Sequence, residues 1–373
     1  MKKPLLILLS VLLLTACSGK TEQGQTVTPS PLPQEESAPL PTPVPVSLRR
    51  AGSRDELIRD LSERSERNFK QDFVSRGECR GDLTAYTGDI AYLLTDYSLE
   101  ICRITPNGAV RLDSLQLGFF WKEEESEGIW QGSEKQCAAL LLSGTRLAVL
   151  SDLFDYSIRE ADGAWISEDS SRCTVDIYDI SSTAEPRWMR GFSQSGSLST
   201  CLISEGRLLL VTDREIYSDD SFCDGTLPGY WQGEEWTALA SEAVYLCDRG
   251  SSSYLQLGVY SLESGAEPEC AALVGCGEQC LLCDRGLYGI ILEENGSAVY
   301  YLPIEGAAPG EPVCSYLEAD YQSAAELTGA GSGLCLLQDG RLPLGEYQWE
   351  RRYDEGRIVA LRAHESTAEL CLL

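Results

Sequence analysis

One unit recurs along this chain and restricts its fold more than any other feature. It is a glycine-bearing turn, an apolar strand and a second strand. The first copy is Gly88-Asp89-Ile90-Ala91-Tyr92-Leu93-Leu94. The form returns at Gly144 to Leu150, Gly206 to Val211, Gly286 to Ile291 and Gly356 to Leu361. Second strands follow at Leu99 to Ile104, Thr174 to Ile180, Tyr254 to Leu262, Ala298 to Ile304 and Ala368 to Leu372. Four units add a third strand: Val110 to Leu117, Pro186 to Phe192, Pro268 to Val274 and Pro312 to Leu317. The glycines suit hairpin turns, which demand positive φ. Such meanders, at a period of about 50 to 80 residues, predict propeller blades. One blade cannot bury both of its faces alone; neighbours stacked around an axis can. A single β-sandwich is the competing arrangement, and 373 residues is long for one. The expectation is an all-β propeller of four to five antiparallel blade-like sheets, preceded by one short α-helix.

The N-terminus reads as an export signal. Lys2 and Lys3 form a basic n-region, and Leu5 to Leu13 form an apolar h-region too short to span a bilayer comfortably. Leu14-Thr15-Ala16-Cys17 then resembles a bacterial lipobox. The resemblance implies cleavage before Cys17 and diacylglycerol on its sulfur. Prolines 29, 31, 33, 39, 41, 43 and 45 follow among Ser, Thr, Gln and Glu, as in an extended tether. Ser53 and Glu56 then make a capping box ahead of Leu57, Ile58, Leu61, Phe69 and Phe73, predicting a helix over 54–71. The expected organisation is a lipoprotein signal peptide over 1–16, lipidated Cys17 and a Pro-rich tether over 17–50, the helix region over 51–75 and the propeller over 76–373. The expected address is the cell membrane, lipid-anchored on its extracytoplasmic face.

Charge narrows the partners. The chain carries 58 acidic and 30 basic residues, a net of -28. Loss of Lys2 and Lys3 with the leader takes this to -30. Such a surface repels nucleic acid and anionic polymers and attracts basic partners. Two aromatic, acidic insertions interrupt the repeat. One, over 118–136, contains Trp121 and Trp130 beside Glu123-Glu124-Glu125; the other, over 214–240, contains Trp231 and Trp236. Blade insertions tend to emerge on one face and to bind there. These four tryptophans are the candidate binding-face aromatics. The alternative is that they pin loops onto blades.

Fifteen cysteines and one histidine leave little catalytic vocabulary. Most of the cysteines sit inside apolar strands, as in Leu334-Cys335-Leu336, where the thiol serves as a small hydrophobe. The expectation is buried thiols with few bridges. Cys276, Cys280 and Cys283 share the spacing of an iron–sulfur site, and with Cys270 could be counted toward zinc. Strand alternation would point them to different faces, so no metal and no cofactor is expected. His364, beside Glu365, has no nucleophile elbow to serve. A carboxylate pair for hydrolysis cannot be nominated among so many acidic residues.

The stretch Thr174-Val175-Asp176-Ile177-Tyr178-Asp179-Ile180-Ser181-Ser182, continuing through Pro186 to the strand at Gly206 to Asp213, resembles an exported bacterial and archaeal β-propeller family distantly related to WD-repeat proteins. Ser252 to Leu262 followed by Glu278 to Leu292 is a second match, and the helix stands where that family places one. The resemblance spans about residues 53 to 305. It departs at Gly77-Glu78-Cys79-Arg80-Gly81-Asp82, which keeps little of the family's acidic segment, and in a short C-terminal part. It therefore implies a diverged or C-terminally truncated member. It implies no activity and no functional residue beyond the lipidation cysteine. The expected function is a lipid-anchored binding or scaffold module for a basic protein or a glycan. The alternatives are a carboxylate-dependent surface hydrolase on the same propeller, or a calcium-stabilised structural surface protein.

Overall fold

The computed structural model describes residues 43–44, 48–68, 82–126, 129–161, 164–217, 225–277, 279–293, 296–318, 321–330, 333–342, 345–354 and 357–365. They build five sheets whose principal strands follow one another in chain order. Sheet I is a meander of Thr84–Thr87, Ile90–Leu94, Ser98–Thr105 and Gly108–Gln116. Sheet II has seven strands: Phe119–Ser126, Ile129–Ser143, Arg146–Ala161, Ala164–Asp179 and Arg187–Ser195, then Gly229–Gln232 and Glu235–Ala238 at its far edge. Sheet III runs Ser197–Ser204, Arg207–Glu215, Ser253–Ser261 and Glu269–Val274, with Val244–Cys247 parallel to the last. Sheet IV holds Gln279–Cys283, Gly286–Glu293, Gly296–Glu305 and Val313–Glu318. Sheet V holds Tyr321–Ala330, Gly333–Leu342, Gly345–Asp354 and Arg357–Glu365.

Burial on both faces of the sheets explains the apolar runs. Leu208 and Leu210 join Leu150, Cys173, Val175 and Tyr260 in a core between sheets II and III. Their alternates Leu209 and Val211 join Leu257, Leu273, Leu287 and Tyr300 in a core between sheets III and IV. Sheet II does the same, with Leu147 and Val149 turned toward sheet I, Ala148 and Leu150 toward sheet III. A strand buried on one side alone would alternate with polar residues. Each fully buried Leu or Val contributes about 1.5–3 kcal/mol of transfer free energy.

Gly88, Gly144 and Gly206 occupy hairpin turns of sheets I, II and III at φ 59°, 57° and 75°, where L side chains are strained. Gly286 stands at the matching hairpin of sheet IV for another reason. A Cβ there would lie 2.5 Å from the Leu302 carbonyl oxygen on the neighbouring strand. The last repeat differs from expectation: the strand after Gly356 closes sheet V as its fourth member rather than opening a unit. The strand expected at Ala368 to Leu372 lies outside the described residues.

The helix is Arg54–Asn68. Ser53 Oγ accepts from the Glu56 amide at 3.1 Å, and Glu56 returns the contact one residue early, accepting from the Gly52 amide at 2.6 Å. That backbone hydrogen bond, with Arg49 beside it, lowers the Glu56 carboxyl below its ordinary value. Leu57 and Leu61 pack with Ile216, Val244, Leu246 and Tyr254, so the helix sits on sheet III rather than on the first blade. Arg64 donates to the carbonyls of Cys247 and Arg249 and pairs with Asp60 at 2.6 Å. Phe69 and Phe73 lie outside the described residues. The expected tether boundary at residue 50 shifts too. Pro43–Val44 pairs with the outer strand of sheet IV, and Leu48–Arg50 with Val244–Cys247 of sheet III.

Candidate functional site

The first aromatic insertion is not a loop. Strands Ile129–Ser143, Arg146–Ala161 and Ala164–Asp179 have 15, 16 and 16 residues. Their blade-forming parts end near Ser151, where Cys137 and Cys173 enter the core. Beyond that point they continue, with Phe119–Ser126 at one edge, as a four-stranded ribbon. About ten residues at roughly 3.3 Å each carry it about 33 Å past the blade.

The register fixes what shares a face of that ribbon. Trp130 lies opposite Ile158 and Glu125, Gly132 opposite Tyr156 and Glu123, and Glu134 opposite Phe154. Paired positions point to one side of a sheet, as do alternate residues along a strand. Trp130, Phe154, Tyr156 and Ile158 therefore form one row of three aromatic rings and an aliphatic side chain. Tyr156 donates to Glu123 Oε1 at 3.1 Å, and its ring lies so close over Gly132 that a Cβ there would be 2.2 Å away. Desolvation raises the Tyr156 phenol above its ordinary value, with the Glu123 hydrogen bond and charge adding to it. Trp130 stays 45% exposed and Phe154 41%.

The second insertion behaves differently. Gly229–Gln232 and Glu235–Ala238 form a hairpin that pairs with Ser193 and Gln194 at the other edge of sheet II. Trp231 is only 7% exposed, under the Arg172 guanidinium at 5.2 Å and beside the Trp236 ring at 6.5 Å. Gly225 is required there, since a Cβ would come within 2.9 Å of the Trp231 ring. Trp231 is thus a buried pin and leaves the set of binding aromatics. Trp236 is half-buried against it. The indole of Trp121 lies outside the described residues, although its backbone runs in the ribbon. Of the four tryptophans expected to form one surface, Trp130 is the one shown exposed. Its neighbours Phe154, Tyr156 and Ile158 escaped sequence analysis. Their signal was the alternation Leu153-Phe154-Asp155-Tyr156-Ser157-Ile158, which prolongs the strand begun at Arg146.

At the ribbon's base Asp152 accepts a hydrogen bond from the Leu198 amide at 2.8 Å. Burial pushes its carboxyl up to about 6, against that hydrogen bond. The thiols nearby are held neutral: burial, then Asp152, drives Cys173 well up, and burial, then Asp82 and Asp152, pushes Cys201 to about 12. Neither supplies a thiolate nucleophile. Cys102, Cys137, Cys173, Cys201, Cys247, Cys270, Cys276, Cys280, Cys283 and Cys314 are thiols, buried or half-buried. Cys79, Cys223 and Cys371 lie outside the described residues. The cysteines counted toward a cluster have other partners: Cys276 Sγ is 3.7 Å from Cys247 Sγ, Cys280 Sγ is 3.1 Å from Ser199 Oγ, and Cys283 donates to the Gly286 carbonyl. Among the described residues no three His, Cys, Asp or Glu converge as metal ligands. His364 sits in sheet V opposite Gln348.

Residues 81–341 match the family model described as a beta propeller domain. Residues 1–18 match that of a prokaryotic membrane lipoprotein lipid attachment site. No curated protein matches. Solved structures that match include one from Bacteroides uniformis described as a candidate 6-phosphogluconolactonase. It is 12% identical, with 71% of this chain and 94% of that chain covered at a TM-score of 0.18, a likeness too slight to bear on function. Among the described residues no helix is long and apolar enough to cross a membrane.

Proposed function

We propose that this chain, which belongs to the beta propeller domain family, acts as a binding or scaffold module at the outer side of the membrane. It is a membrane-anchored lipoprotein by its attachment site. In this reading lipid on Cys17 holds the propeller at the extracytoplasmic face, and the residues between Cys17 and Pro43 act as its tether. A protein or a glycan then docks on the ribbon of sheet II. The observation that carries the reading is the exposure of Trp130 and Phe154 on one face of a ribbon that extends beyond its blade. Large apolar side chains so placed lose free energy to water and regain it when a partner covers them. Aromatic side chains also concentrate binding energy at interfaces.

Site-specific photo-crosslinking tests this. A benzoylphenylalanine at position 130 of the full lipoprotein, irradiated in its native cells, should yield discrete adducts. The same group at position 188, on the blade rather than on the ribbon, should not. Equal adducts from both positions, or none from position 130, would reject the ribbon as the binding surface.

A further inference from the structure

The ribbon's two faces differ in charge as well as in apolar content. Lys122 pairs with Ser133, Arg159 with Ile129, and Arg172 and Lys135 with Leu153. All four basic positions of the ribbon therefore fall on the face opposite Trp130. Three are already engaged: Arg172 with Asp155 at 3.6 Å, Lys135 with Asp176 at 3.4 Å, and Lys122 over the Phe119 ring at 4.2 Å. The register of Trp130, Tyr156 and Phe154 instead contains Glu123, Glu125, Glu134, Glu160, Asp169 and, at the base, Asp152. On that face the described side chains of Trp130, Phe154 and Tyr156 lie with those of Glu123 and Glu134, its register contains no basic position, and Arg214 of sheet III reaches only its base, at Ser171 Oγ 3.1 Å away.

We propose that this face docks a lysine- and arginine-rich segment of a partner protein. The inference rests on the reading of the ribbon as the binding surface and adds the partner's chemistry. Ammonium and guanidinium groups are attracted both to the face of an aromatic ring and to a carboxylate. Tyr156 with Glu123, and Phe154 with Glu134, offer both at one register position. The chain already uses the first contact internally: Arg172 lies over Trp231, and Arg249 over Tyr316 at 3.9 Å. A second copy of this chain would bring its own acidic face to the same place, and nucleic acid or an anionic polymer would be repelled likewise. A basic protein segment complements both the rings and the charge.

The test uses the full lipoprotein in detergent micelles and two probes. One is a fluorescent twelve-residue peptide of alternating lysine and serine; the other is a neutral cello-oligosaccharide. Trp130→Ala with Phe154→Ala should weaken the peptide at least fivefold at low salt. Glu123→Gln with Glu134→Gln should weaken it similarly and flatten its salt dependence. A charge-matched control at the opposite, turn end of the blades, Glu185→Gln with Glu305→Gln, both exposed, should change affinity less than twofold. The exchanged aromatics are exposed, and an unchanged melting temperature verifies each fold. Equal loss in the control would reduce the binding to diffuse net charge and overturn the proposal. Peptide binding that ignores the ribbon variants, while the oligosaccharide depends on Trp130, would overturn the basic partner and leave the ribbon as binding surface. Indifference of both probes to the ribbon variants would overturn both.

Discussion

The amide of Leu198 donates to Asp152 Oδ1 at 2.8 Å, tying the first strand of sheet III to the point where the ribbon leaves sheet II. The carboxyl that receives it is otherwise desolvated, and its pKa rises from an ordinary 3.8 to about 6. A raised folded-state value means that the folded chain holds this proton more tightly than the unfolded one. The stabilising contribution is therefore complete below about pH 4 and is lost as pH climbs through 6.

This relation predicts a stability change of definite sign. Acidification from pH 7 to pH 5 should stabilise the wild type relative to Asp152→Asn by about 1 kcal/mol. The comparison with the variant removes the general relief of charge repulsion that a strongly acidic chain gains at low pH. Urea midpoints at the two pH values provide the measurement. Parallel shifts in wild type and variant would mean that Asp152 titrates normally.

Burial on both faces of sheet III makes a second prediction. Leu208→Ala opens the core shared with sheet II, and Leu209→Ala the core shared with sheet IV. Each should cost about 2–5 kcal/mol, because each removes a side chain packed on all sides. Equilibrium unfolding of the two variants checks this. Tolerance of either one would mean that one face of the sheet is open to solvent.

Thiol chemistry makes a third. Burial raises Cys137, Cys173, Cys201 and Cys270, the last two to about 12. Native protein at pH 8 should react slowly with an aromatic disulfide reagent, since little thiolate is present or reachable. Denatured protein, without reductant, should release most of its thiols. Recovery of only a few would reveal a disulfide framework.

The blades were legible because both signals that specify them are local. Glycine turns mark the hairpins at Gly88, Gly144 and Gly206, and unbroken apolar runs such as Leu208 to Val211 mark strands buried twice over. The surface was less legible. Whether an aromatic faces water depends on strands distant in sequence: Trp231 is covered by Arg172, some sixty residues upstream, while Trp130 in a similar acidic stretch is not. The ribbon was missed because an acidic, aromatic segment pairs as readily as an apolar one when a long hairpin supplies its neighbours. The final repeat misled for the same reason in reverse, since Gly356 resembles the opening turns and yet precedes the last strand of sheet V.

The central claim is that a lipid-anchored propeller presents the Trp130 face of its ribbon outside the cell. Trp130→Cys and Trp231→Cys, each treated in intact cells with a membrane-impermeant maleimide, test it most directly against the wild-type background. The account predicts strong labelling at position 130, background labelling at position 231, and label that stays with the membrane fraction unless Cys17→Ala is also introduced. Labelling at position 130 only after lysis, or equal labelling at both positions, would contradict it.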